Sequence, residues 1–145
     1  MRYLPLLLMF MSGVVHAQTN DAMVCADLRR LDEVAGRTGS FQSLVATGFR
    51  PRFLRFCSLT AEGISCGRNV TPGHITPASI SATMRQCLPG TSVSIERPRF
   101  SDPVTVVRTR NLRFTLSENC TERCRAGRIM HISGEILPRG REVRK

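Results

Sequence analysis

Six cysteines, Cys25, Cys57, Cys66, Cys87, Cys120 and Cys124, all lie downstream of an apolar N-terminal run. That pairing of features constrains the chain more than any other. The run opens Met1-Arg2, is apolar from Tyr3 to Phe10, and continues through Met11, Gly13, Val14 and Val15. One positive charge, a short apolar stretch and the small Ala17 before polar Gln18 have the form of a secretory leader cut after Ala17. A bilayer crossing takes roughly 20 apolar residues, so the run is short for an anchor, and no later segment is longer. The expected destination is the bacterial periplasm or the medium. An even set of cysteines in a small exported domain reads as three disulfides, although six cysteines leave the pairing open in principle. Zinc is the rival use. No Cys-x-x-Cys pair occurs, and beyond the leader only His74 and His131 carry imidazoles, so neither a metal nor a cofactor is expected.

The expected organisation is a leader over residues 1–17, a helix within 18–36, a body over 37–137 and a basic tail over 138–145. Residues 18–145 suit one domain with a modest core. Asn20 or Asp21 can cap a helix to about Ala35, where Val24, Leu28, Leu31 and Val34 recur at helical spacing and Gly36 supplies a stop. Phe41 to Phe49 is apolar and β-branched enough for a strand, broken by Arg50-Pro51. Arg52 to Leu59 and Gly63 to Gly67 read as two more. Cys57 and Cys66 flank the turn between these two, which suggests a bridge across a hairpin.

Thr76-Pro77 then starts a second helix, with a hydroxyl cap followed by proline where its missing N–H costs nothing. This helix runs to Cys87 and ends at Leu88-Pro89-Gly90. A Cys25–Cys87 bridge would pin the first helix to it. Ser92 to Glu96, Val104 to Arg108 and Leu112 to Ser117 alternate as strands, and Arg128 to Leu137 adds a last one. Cys120 and Cys124, with three residues between them, suit a small loop and form the third expected pair. Three strands, a helix, then further strands is the layout of the OB fold, a partly open five-stranded barrel with a helix between its third and fourth strands. The expected class is therefore mainly β with α: an OB-like barrel, an extra N-terminal helix and disulfide staples.

The formal charge is +10, and Lys145 is the only lysine. Such an excess suits an anionic surface, an acidic partner or nucleic acid. Export disfavours nucleic acid as the natural partner. Arg50, Arg52 and Arg55, and likewise Arg108 and Arg110, are candidate basic patches, or charges that keep an edge strand from aggregating. Trp is absent and the sole Tyr lies in the leader, which removes the favoured stacking platforms for sugars and bases. No nucleophile and base stand at readable spacing, and three bridges would leave no free thiol, so no catalytic residues are expected.

Four segments carry a family resemblance. They are Arg37 to Phe49 (RTGSFQSLVATGF); Arg55-Phe56-Cys57 with Ile64-Ser65-Cys66; Ile80 to Ile95 (ISATMRQCLPGTSVSI); and Asp102 to Cys124 (DPVTVVRTRNLRFTLSENCTERC). In order and spacing they resemble the B subunits of pentameric AB-type toxins, in the branch of subtilase cytotoxin and the pertussis-like and typhoid toxins. The resemblance spans about Arg37 to Arg125. It implies an OB fold, a homo- or hetero-pentameric ring with the helix lining the pore, a toxin A subunit or other B subunits as partners, and host-cell glycans as ligands.

The family pocket has a serine just after a phenylalanine on the first strand and an acidic residue shortly before it. Those places fall on Gln42, with Ser43 beside it, and on Thr38. Amides and hydroxyls can bond a sugar, and Arg37 can fork onto a sialic carboxylate. The chain is thus expected to bind glycans, to assemble rings, or both. Cys57–Cys66 and Cys120–Cys124 suit the resembled family, whereas Cys25–Cys87 would be this chain's own addition. The alternatives are a periplasmic OB-fold protein that binds an anionic ligand through its arginines, and an inhibitor of an envelope enzyme.

Overall fold

A computed structural model of the chain describes residues 15–52, 56–70, 75–120 and 128–139. The architecture is mixed: helices on one face of a six-stranded antiparallel sheet. The elements are α1 (Val15–Thr38), α2 (Gln42–Ala46), β1 (Phe56–Leu59), β2 (Gly63–Val70), α3 (Pro77–Cys87), β3 (Ser92–Glu96), β4 (Val104–Arg108), β5 (Leu112–Cys120) and β6 (Arg128–Ile136). Strand order is β1-β2-β6-β5-β4-β3.

α1 runs past its expected stop. Gly36 lies inside the helix, and the chain turns out at Gly39, whose φ of +68° is costly for any side chain and whose N–H bonds the Ala35 carbonyl at 2.9 Å. Leu28, Leu31 and Ala35 make its buried face, with Val24 and Val34 partly covered. α3 begins as read. The Thr76 hydroxyl accepts from the Ser79 N–H at 3.1 Å, and the Thr76 N–H donates to the Ser79 hydroxyl at 3.0 Å. This reciprocal box satisfies two helix-end donors, and Pro77 fills the first turn.

The strand expected over Phe41–Phe49 is not formed. Its place is taken by α2, in which the Phe41 carbonyl accepts from Leu44 and Val45 at 2.9 and 3.0 Å. The buried residues explain the outcome. Phe41 and Leu44, three apart, are both in the core, while Gln42, Ser43 and Val45 face solvent; a strand would bury every second residue. Gly48, at φ +68°, ends the turn. The sheet therefore starts at β1, two strands precede α3 rather than three, and β1 and β3 are its two edges, unpaired with each other.

Register sorts the sheet into two faces. Ile64, Gly134, Phe114, Val107 and Val93 stand opposite one another across five strands, and Cys66, Ile132, Leu116, Thr105 and Ile95 form the neighbouring row. These rows face the helices, and their central members form the core with Leu28, Leu31, Phe41, Leu44 and Met84. Gly134 is required where it stands. A Cβ there would lie 2.6 Å from Ile64 and 2.8 Å from the Phe114 ring, so the aromatic ring crosses β6 through the missing side chain.

The other face is polar. Ser58, Ser65, Ser133 and Thr115 follow one another across four strands. Arg113 reaches Glu96 at 3.0 Å and Glu135 at 3.1 Å, and Arg108 reaches Glu96 at 3.6 Å. Val106 points to this face yet is fully buried.

Two of the three expected bridges are present. Cys25–Cys87 joins α1 to the end of α3 across 62 residues, and Cys57–Cys66 links directly opposed residues of β1 and β2. The third pair, Cys120–Cys124, lies outside the described residues in that Cys124 is not among them and the Cys120 side chain is not described. Among the described residues no helix is long and apolar enough to cross a membrane.

Candidate functional site

The most elaborate polar arrangement lies where the C-terminal half of α1 meets the β4–β5 turn. Asp32, one turn beyond buried Leu28, aims at that turn. Its carboxylate accepts from the Thr109 hydroxyl at 2.5 Å, the Asn111 backbone N–H at 3.3 Å and the Asn111 side-chain amide at 3.1 Å; the same amide bonds the Asp32 carbonyl at 3.0 Å. The turn closes on itself as the Thr109 and Leu112 backbones pair at 2.9 Å. The Leu137 N–H donates to the Asn111 carbonyl at 2.8 Å, and Arg139 donates to the Gly36 carbonyl at 2.8 Å, so the chain after β6 is fastened to the same corner.

Beside this knot opens a cleft of about 560 Å³ lined by Arg29, Asp32, Glu33, Gly36, Arg37, Leu88, Arg110 and Asn111. Both of its carboxylates are committed: Asp32 to the turn, and Glu33 to Arg37 at 2.5 Å, one helical turn away. Arg29 donates its Nε to the Cys87 carbonyl at 3.2 Å, at the C-terminal end of α3. That contact orients the guanidinium and leaves its terminal nitrogens uncommitted by it. Arg110 sits exposed on the turn with no ion pair among the described residues. The cleft thus offers guanidinium donors in excess of free carboxylate acceptors, a set suited to a carboxylate or phosphate group.

The four residues expected to contact a glycan are exposed and lie on different elements. Arg37 and Thr38 end α1, and Gln42 and Ser43 open α2 rather than lying on a strand. The Thr38 hydroxyl bonds the Val34 and Ser40 carbonyls at 3.0 and 2.7 Å, and the Ser40 hydroxyl accepts from the Gln42 N–H at 3.2 Å. Arg37 lines the cleft already described; Thr38 lines a second one with Ser40, Glu62 and Arg139; Gln42 and Ser43 line neither.

The arginine patches read from spacing separate. Arg52 is gripped by Asp27, a carboxylate only 3% exposed, through its backbone N–H, Nε and a terminal nitrogen, each at 2.9 Å. Those bonds and the carboxylate's charge hold the Arg52 guanidinium above its ordinary pKa. Arg50 is exposed, and Arg55 lies outside the described residues. Arg108 is on β4 and pairs with Glu96, whereas Arg110 lies beyond the strand in the turn, so the two do not share a strand face.

Sequence reasoning missed Arg29, Asp32 and Asn111. Asp32 follows Leu31 on a charged stretch that reads as solvated helix; its partner is 79 residues away, and no local pattern announces that. His131 lies on β6, and His74 is outside the described residues. Among the described residues no group of His, Cys, Asp and Glu side chains gathers to hold a metal ion. The chain matches no protein-family model, no curated protein and no solved structure.

Proposed function

We propose that the protein is an exported, disulfide-stapled binding module without catalytic chemistry, which holds an anionic group in the cleft between α1 and the β4–β5 turn. One observation carries this reading: Arg29, Arg37 and Arg110 converge on a cleft whose two carboxylates already have partners. The disulfides and the leader-like N-terminus support export. Inorganic pyrophosphate, titrated calorimetrically against the oxidised protein, tests it. Binding should weaken as salt screens the exposed charges. Arg110→Ala should lower affinity several-fold while leaving the unfolding midpoint in place, and Arg29→Ala should lower it too, with a modest fall in the midpoint from its lost bond to the Cys87 carbonyl. Binding that neither substitution alters would overturn the assignment of this cleft.

The toxin B-subunit resemblance supports a second reading, a ring-forming glycan binder on an OB-like barrel. What favours it is that Arg37, Thr38, Gln42 and Ser43 are all exposed, with Thr38 and Gln42 both tied to Ser40. Native mass measurement and a glycan array separate it from the first. A pentamer that binds sialylated glycans and loses them in Gln42→Ala or Ser43→Ala supports it; a monomer that binds none removes it.

A further inference from the structure

The two edges of the sheet are finished differently. β1 is four residues long and cross-linked to its neighbour by Cys57–Cys66. β3 is bare. Its sequence Ser-Val-Ser-Ile-Glu holds no proline, and its one charge, Glu96, closes the strand and is paired with Arg108 and Arg113, so the usual blunting devices are nearly absent. Among the described residues no strand pairs with its outer row of backbone donors and acceptors.

The side chains make this edge more than an unpaired ladder. Val93 and Ile95 belong to the core-facing rows, opposite Val107 and Thr105. α3 lies over β4 and β5, and the apolar face runs out beyond that cover, leaving Val93 37% and Ile95 65% exposed. Just beyond the strand, Phe100 is 100% exposed. A wholly exposed phenylalanine beside an open strand with two uncovered aliphatic residues is an unusual concentration of wet apolar surface.

Charge selects the occupant. Arg97 and Arg99 follow the strand, both exposed and without an ion pair among the described residues. Glu96, the strand's own carboxylate, is already held by Arg108 and Arg113, and Asp102 is the other acid nearby. A second copy of a chain with net charge +10 would bring like charge to this edge. The chain's own tail after Pro138 is basic as well.

We propose that β3 is a strand-addition site for an extended acidic segment of another protein, which pairs with the free edge through its backbone, sets alternate apolar side chains against Val93 and Ile95, and places carboxylates on Arg97 and Arg99. In this mode backbone bonds supply affinity, and alternate side chains supply specificity. The site is separate from the anion cleft and does not depend on it.

The test uses the oxidised chain and a fluorescent ten-residue peptide alternating Asp or Glu with Val or Ile. Two further forms are N-methylated on one or the other alternate set of residues. Strand addition requires that one methylated form bind at least about tenfold more weakly and the other be nearly unchanged, because only one edge of the peptide faces β3. Val93→Thr with Ile95→Thr should weaken binding by a similar factor. These positions are exposed and threonine is a good strand former, so the fold persists. Arg97→Ala with Arg99→Ala should weaken it several-fold and flatten its salt dependence, whereas Arg110→Ala should leave it unaltered. Equal loss from both methylated forms, no binding at all, or a concentration-dependent dimer abolished by the two threonines would each overturn the proposal.

Discussion

Asn111 occupies the space that a side chain on Gly36 would need: a Cβ there would lie 2.6 Å from the Asn111 amide nitrogen. The glycine in the last turns of α1 is thus explained by the β4–β5 turn resting on it, and the helix ends two residues later, at Thr38. Gly36→Ala must push Asn111 from Asp32, where it makes three hydrogen bonds. The expected loss is about 1–3 kcal/mol, read from the urea midpoint. The double variant with Asn111→Ala should cost less than the sum of the two single changes, since the obstructing amide is gone. Gly39→Ala has nothing within 4 Å to strike and should cost about 1–2 kcal/mol through its backbone alone, with no such rescue.

Arg52→Ala removes the two guanidinium bonds to the buried Asp27 carboxylate and leaves it only the backbone N–H of residue 52 and solvent. Arg52 is itself about half exposed, which screens the pair. A measurable loss of stability is expected, smaller than for a wholly buried pair. The sign of the pH dependence follows from the raised arginine pKa. Its share of stability is fully present below the unfolded-state value and is lost only as pH rises through the folded one, so it should not vary with the arginine's protonation between about pH 6 and 9. Denaturant curves of wild type and variant at both ends of that window check it.

Gly134→Ala sets a methyl between Ile64 and Phe114 in the centre of the sheet. Neither neighbour is the free end of a flexible chain, so about 1–3 kcal/mol of overpacking strain is expected. Pairing it with Phe114→Leu should recover part of the loss.

Removing the two described bridges separately should rank them by span. Loop-closure entropy assigns roughly 4 kcal/mol to Cys25–Cys87 and roughly 2.5 kcal/mol to Cys57–Cys66. Paired Cys→Ala variants, unfolded in guanidinium, should show that order.

How far the sequence could be read depended on whether a signal was local. β3 and β4 begin and end where alternation places them, and α3 starts at Thr76-Pro77, because caps and two-residue periods are written in neighbouring residues. Cys57–Cys66 follows from hairpin register, and Cys25–Cys87 from the first helix lying against the end of the second, although Cys25 stands mid-helix rather than on the first turn. The error at Phe41–Phe49 came from treating composition as period: the segment is β-branched and aromatic, but its buried positions are three apart. That one element removed the expected first strand and moved Gln42 and Ser43 onto a helix. The cleft was not legible at all. Arg29, Asp32 and Asn111 acquire their roles from contacts across 58 to 79 residues, set by how α1 lies on the sheet.

The span of the Cys25–Cys87 bridge has a consequence for the order of maturation. In a chain threaded through a membrane N-terminus first, Cys25 emerges early and meets Cys57 and Cys66 before its partner has crossed. Joining cysteines in order of arrival would link Cys25 to Cys57 and trap α1 against the wrong strand. The native pattern is reached only if that early thiol waits, or if a misplaced link is reshuffled by thiolate attack. A host lacking a disulfide-isomerising catalyst should therefore accumulate the protein with α1 mis-tethered, even where oxidation itself is efficient.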